Sequence, residues 1–116
     1  MFNNNSSLFS LMFTVIGTET YLREIKKWPK QDQEFAEKLP KELSNSPFTG
    51  KPLSYPFLRE KRIGGRRIYF LIYEDLKLIL LVATSEKKDQ QETIDHIKNQ
   101  LDEFRSIANF LAKTVS

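Results

Sequence analysis

Two adjacent glycines, Gly64 and Gly65, stand between two runs of strand-forming residues, Phe57–Ile63 and Arg66–Glu74, and no other feature of the chain restricts its fold as much. β-branched and aromatic residues favour extended backbone, and a Gly-Gly pair supplies the positive φ angles of a two-residue hairpin turn. The turn fixes the register: Ile63 opposes Arg66, Arg62 opposes Arg67 and Glu60 opposes Tyr69. Opposed residues share a face of the sheet. Leu58, Glu60, Arg62, Arg67, Tyr69 and Leu71 therefore line one side, and Ile63, Ile68, Phe70 and Ile72 line the other, which is assigned to the core. A turn at Glu74-Asp75 leads into a further strand, Leu76–Thr84. Ile68–Tyr73 and Leu78–Ala83 barely alternate, as expected of strands buried on both faces. Leu71, Tyr73, Ile79 and Leu81 are expected on the outer face, and an apolar face of that kind requires a cover.

Before the hairpin, Leu11–Gly17 reads as a strand. Thr18 then caps a helix with Glu19 in its first turn and Leu22, Ile25 and Trp28 as its apolar stripe. A second helix spans about Gln31 to Leu43, with Phe35, Ala36, Leu39 and Leu43 on one face, and Pro40 predicts a kink or a break in it. The prolines between Asn45 and Pro56 predict a loop. After the last strand, Asp89 and Glu92 have capping-box spacing. Ile94, Ile97, Leu101, Phe104, Ala108, Leu111 and Val115 follow in alternating steps of three and four, a heptad seam. One continuous helix of that length spans about 38 Å, so it must overhang, bend or dock. The seam serves either intramolecular packing or a dimer contact through the C-terminal helix.

The reading is one α+β domain: an N-terminal strand and helical hairpin packed on a small, mostly antiparallel sheet, with a long C-terminal helix. Residues 1–10, rich in Asn and Ser, read as a disordered leader. They carry no Lys or Arg, so they lack the charged start of a signal peptide. No apolar run approaches a membrane span of about 20 residues. The chain has no Cys and one His, which excludes disulfides, cysteine nucleophiles and multi-histidine metal sites. No metal or cofactor is expected, and the composition fits the cytoplasm. With 18 basic and 15 acidic residues the net charge is only +3, but Arg59, Lys61, Arg62, Arg66 and Arg67 crowd the hairpin against the single acid Glu60.

The stretch LREIKKWPKQDQEFAEKLPKELSNSP resembles the helical hairpin of the RelE/ParE toxins, with its Leu-x-x-Ile-x-x-Trp-Pro pattern and closing Asn-x-Pro. GKPL and LREKRIGGRRIYFLIYEDLKLILLVAT are similar to the glycine-leucine step and strand pair that follow in that superfamily. The resemblance covers Leu11 to Ile97, and residues 98–116 continue the C-terminal helix. It implies a toxin of a type II toxin–antitoxin system with a cognate antitoxin as partner. It also implies one of two targets: mRNA on the ribosome, cut without a metal, or DNA gyrase, bound without catalysis. A catalytically degenerate member is the third possibility.

In the endonuclease reading the RNA's own 2′-hydroxyl is the nucleophile, so the protein supplies a base, cations for the developing phosphate charge, and an acid. Arg67 falls where the superfamily places its phosphate-binding arginine, and a guanidinium fork suits that task. Glu60 is the candidate base, and Tyr69 the candidate proton donor or stacking ring. A salt-bridged strand carboxylate and a half-buried strand tyrosine are the structural alternatives. Arg59, Lys61, Arg62 and Arg66 are candidate substrate-binding cations, with Lys87 and Lys88 after the last strand. Arg62 and Arg67 repel across the hairpin unless an anion lies between them. Arg59 and Lys61 point to the opposite face unless a bulge shifts the register. SEKKDQQETI lacks the tyrosine or histidine that nucleases of this superfamily often carry after the last strand, and His96 beyond it is expected to be an exposed helical residue.

Overall fold

The computed structural model describes residues 12–115; the expected leader lies outside them, as does Leu11. The chain runs β1 (Thr14–Gly17), α1 (Glu19–Ile25), α2 (Lys30–Asn45), β2 (Lys51–Leu53), β3 (Tyr55–Ile63), β4 (Arg66–Tyr73), β5 (Leu78–Glu86), α3 (Gln90–Asn99) and α4 (Leu101–Val115). The strands form one five-stranded sheet in the order β1-β5-β4-β3-β2. β1 is parallel to β5 and every other pair is antiparallel. The expected α+β architecture is therefore present, with helices on both faces of a mixed sheet.

The hairpin has the register that its turn dictates: Ile63 pairs with Arg66, Arg62 with Arg67 and Glu60 with Tyr69. Gly64 alone of the two turn glycines has a positive φ, 59°. That is the φ signature of a type II′ turn, which needs it only at its first central residue. Thr18 caps α1 by accepting from the Tyr21 amide at 3.2 Å. The turn into α2 is tied by the Gln33 amide group, which donates to the carbonyls of Trp28 and Lys26 at 2.8 and 3.2 Å.

Several local expectations are corrected. Of the two outcomes expected at Pro40, the break does not occur: α2 runs as one helix from Lys30 to Asn45. Burial of Ala36, Leu39 and Leu43 against the sheet outweighs the roughly 3 kcal/mol that an interior proline costs. The stretch Asn45–Pro56 is not all loop, because it holds β2 and the first residues of β3. Asp89 makes no side-chain cap at α3, so the capping box does not form. Ile79 and Leu81 lie on the inner face, not the outer one. They pair with Ile72 and Phe70, and opposed residues share a face.

The C-terminal helix is two helices, broken at Gln100 (φ −117°, ψ 20°). The break lets the seam follow the sheet instead of overshooting it. Ile94, Ile97, Leu101, Phe104, Ala108 and Leu111 all pack into one core with Leu58, Tyr69, Leu71 and Leu80. The seam is thus spent within the chain, and the outer sheet face is covered by the protein's own α3 and α4. The inner face packs on α1 and α2 through Tyr21, Trp28, Leu39, Leu43, Phe70 and Ile79.

A β-bulge in β5 positions the polar end of the sheet. Phe70 pairs with Leu81 but Tyr69 pairs with Ala83, so Val82 is the extra residue. The insertion reverses the alternation beyond it. Thr84 is delivered to α1, where its amide and hydroxyl both donate to Glu24 Oε1 at 2.8 and 2.9 Å. Ser85 is delivered to the other face, beside Tyr69.

Candidate active site

Glu60, Arg62, Arg67 and Tyr69 form a polar strip on the outer face at the turn end of the hairpin, closed by Ser85 of β5 and Gln90 at the start of α3. The anion needed between the facing arginines is Glu60. Its Oε2 lies 3.4 Å from Arg62 Nε and its Oε1 lies 3.6 Å from Arg67 Nε. Gln90 Nε2 donates to Glu60 Oε1 at 2.6 Å. The side chains of Glu60 and Arg67 are only 1% and 5% exposed, whereas that of Arg62 is 59% exposed. Arg67 Nε is buried with no hydrogen-bond partner. At 3.6 Å the Glu60–Arg67 contact is an ion pair and not a hydrogen bond.

Tyr69 is fully buried and its hydroxyl shares a 2.8 Å hydrogen bond with Ser85 Oγ. Burial raises its pKa above the ordinary phenol value, and the Glu60 charge adds to the rise; Ser85 and Arg67 act in the opposite direction. The phenol is therefore protonated at neutral pH, as a proton donor must be.

The remaining candidates lie elsewhere. Arg59 is on the inner face and donates to the carbonyls of Thr49, Pro56 and Gly50 at 3.1, 2.9 and 3.2 Å, clamping the loop before β2 to the start of β3. Lys61 pairs with Glu42 of α2 at 2.7 Å. Arg66 pairs with Asp32 at 2.7 Å and stacks over Trp28 at 5.7 Å. Lys61 and Arg66 thus brace the helical hairpin against β3 and β4. Lys87 and Lys88 are exposed in a 3₁₀ turn between β5 and α3, and His96 is exposed on α3. Ser85 and Gln90 escape sequence reasoning: the bulge places the first and the docking of α3 the second, and neither has a local signature. Among the described residues no cluster of His, Asp or Glu could hold a metal ion, and no helix is long and apolar enough to cross a membrane.

A helical hairpin on one face of a mostly antiparallel sheet, with C-terminal helices on the other, defines the class of this fold. It is the fold of the RelE toxins. The chain superposes on free E. coli RelE, in a double-mutant form, with a TM-score of 0.62 at 16% identity, over 74% of this chain and 98% of that one. RelBE2, a toxin–antitoxin complex from Mycobacterium tuberculosis, gives 0.58 at 22% identity, over 66% and 93%. The archaeal RelE–RelB complex from Pyrococcus horikoshii gives 0.58 at 14% identity, over 66% and 96%. No protein-family model matches the sequence, and a search of curated proteins finds no match.

Proposed function

We propose that this chain is the toxin of a type II toxin–antitoxin system, acting in the cytoplasm as a metal-free, ribosome-dependent mRNA endonuclease and held in check by a cognate antitoxin. The observation that carries this reading is the carboxylate of Glu60 held between two arginines beside a protonated tyrosine, on a sheet that carries the RelE fold. Glu60 takes the proton of the RNA 2′-hydroxyl. The oxygen attacks the adjacent phosphorus, and Arg67 and Arg62 neutralise the charge that develops on the phosphate. Tyr69 protonates the departing 5′-oxygen, leaving a 2′,3′-cyclic phosphate and a 5′-hydroxyl end. Arg62 and the Lys87–Lys88 turn are the exposed cations at the rim, and lead the RNA backbone to the strip.

Burial favours a second reading. A pair as enclosed as Glu60–Arg67 also suits a purely structural role, in a member that acts on DNA gyrase without catalysis or in a degenerate one. In the catalytic reading the start of α3 moves aside, withdrawing Gln90 from Glu60, before RNA reaches the strip. Induced expression of the wild type beside Arg67→Ala and the exposed Arg62→Ala separates these readings. The endonuclease gives arrested translation and messages cut to 5′-hydroxyl ends, lost in both variants while Arg62→Ala keeps its thermal stability. Intact messages with blocked replication would move the target to gyrase, and unimpaired growth would leave a degenerate member.

A further inference from the structure

A cavity of about 590 Å³ lies away from the polar strip, between the start of α1, the end of β5 and the outer side of α3 and α4. β5 outruns β1 here, since β1 ends at Gly17 opposite Leu81. The floor is apolar, with Val82, Ala83, Ile97, Phe104 and Ile107. Ile107 is 40% exposed, and Phe110, one turn further along α4, is 65% exposed. On α1, the lining residues Glu19 and Thr20 are exposed. Apolar residues are thus left uncovered on the α4 bank, facing a polar α1 bank.

Its charge is as unusual as its floor. Three acids line it, Glu19, Glu24 and Glu92, with His96 beside them and no Lys or Arg, in a chain whose net charge is +3. Glu24 is turned inward onto Thr84. Glu19 meets Arg23 only in an exposed contact at 3.7 Å, of a kind that contributes little. Carboxylates on the walls repel RNA, DNA and anionic lipid headgroups. A second copy of the chain is also poorly matched: α4 carries Asp102 and Glu103 as well as Arg105 and Lys113, so it brings no excess of positive charge.

We propose that this groove docks a basic amphipathic segment of a protein partner, its apolar side chains seated on Phe104 and Ile107 and its lysines or arginines facing Glu19 and Glu92. The site is independent of the catalytic reading, because none of its residues belongs to the Glu60–Arg67 strip. The experiment titrates the full-length protein with a helix-forming peptide bearing Leu on one face and Lys on the other, followed by amide NMR. The same peptide with Glu for Lys is the control. The Lys peptide is expected to shift Thr20, Thr93 and Ile107, with an affinity that falls as salt rises. Glu19→Lys/Glu92→Lys and, separately, Ile107→Asp each weaken it by about tenfold or more. All three positions are exposed, and thermal melts confirm that the variants fold. A footprint elsewhere, equal binding of the Glu peptide, or affinity untouched by either variant overturns the proposal. So does a wild-type dimer that Ile107→Asp dissociates, because a second copy then occupies the groove.

Discussion

Glu60 and Arg67 form a buried ion pair whose two members are not equally replaceable, and the asymmetry follows from their neighbours. Removing one partner of a buried pair costs about 3–5 kcal/mol, because the other is left charged and dry. In Glu60→Gln the stranded group is Arg67, with its side chain 5% exposed and Nε already without a hydrogen bond. The full cost applies. A chain of this length has a stability of about 6–17 kcal/mol, so the loss is a large share of it and lowers the Tm by roughly 12–20 °C. In Arg67→Met the stranded group is Glu60, which keeps Gln90 and the exposed guanidinium of Arg62. That substitution is expected to cost about 2 kcal/mol less than a fully uncompensated charge. The double variant Glu60→Gln/Arg67→Met removes both charges and returns to within about 1 kcal/mol of the wild type, as buried pairs replaced together often do. Urea denaturation of the four proteins gives the coupling energy directly. Additive single effects, or a Glu60→Gln cost below about 1 kcal/mol, refute the claim that the charges compensate one another in the dry interior.

Gly50 has φ 82°, and a Cβ there would lie 2.6 Å from the Glu60 carbonyl oxygen. Gly50→Ala is therefore expected to destabilise by several kcal/mol, about 3 or more, since it adds a clash to the strain of its positive φ, whereas Gly64→Ala, at φ 59° with nothing within 4 Å of the added Cβ, carries only the backbone cost of about 1–2 kcal/mol; equal Tm values for the two variants would contradict this. Tyr21 and Tyr73 are pushed up to about 12 by burial, and Tyr69 is raised by the same cause. A raised folded-state value stabilises the native protein below the unfolded value of about 10 and is lost as pH climbs through the folded value. Native absorbance titration at 295 nm should show these phenols ionising above pH 10, with melting temperatures falling between about pH 10 and 12. Ionisation of every tyrosine at the free value in the native protein would refute the burial argument. Ile97→Ala, at a position 1% exposed, should cost about 2–5 kcal/mol of global stability. If instead the melt is unchanged and only amide protons of α3 and α4 exchange faster, the two helices open as a unit separate from the sheet.

What could be read directly was whatever depends on near neighbours along the chain. The Gly64-Gly65 turn set the pairing of six residues on each side of the hairpin, and Thr18 announced the start of α1. The seam from Ile94 to Leu111 named the residues that cover the outer sheet face. Expectations based on a local penalty alone fared worse. Pro40 and the prolines between Asn45 and Pro56 are disfavoured within helices and strands, yet burial of Leu39 and Leu43 in one case and pairing with β3 in the other outweighed the penalty.

The candidate site divides along the same line. The hairpin alone brought Glu60, Arg62, Arg67 and Tyr69 to one face, because side chains of a strand alternate and opposed residues share a side. It also showed that Arg62 and Arg67 required an anion between them. Only the tertiary structure could identify that anion as Glu60, move Ser85 onto Tyr69 through a bulge in a different strand, and bring Gln90 down on the carboxylate. It also decided that Arg67 is buried and not at the surface. Register is a local property, fixed within a turn. Exposure depends on residues some thirty positions away in sequence, and on which of the two faces the broken helix comes to cover.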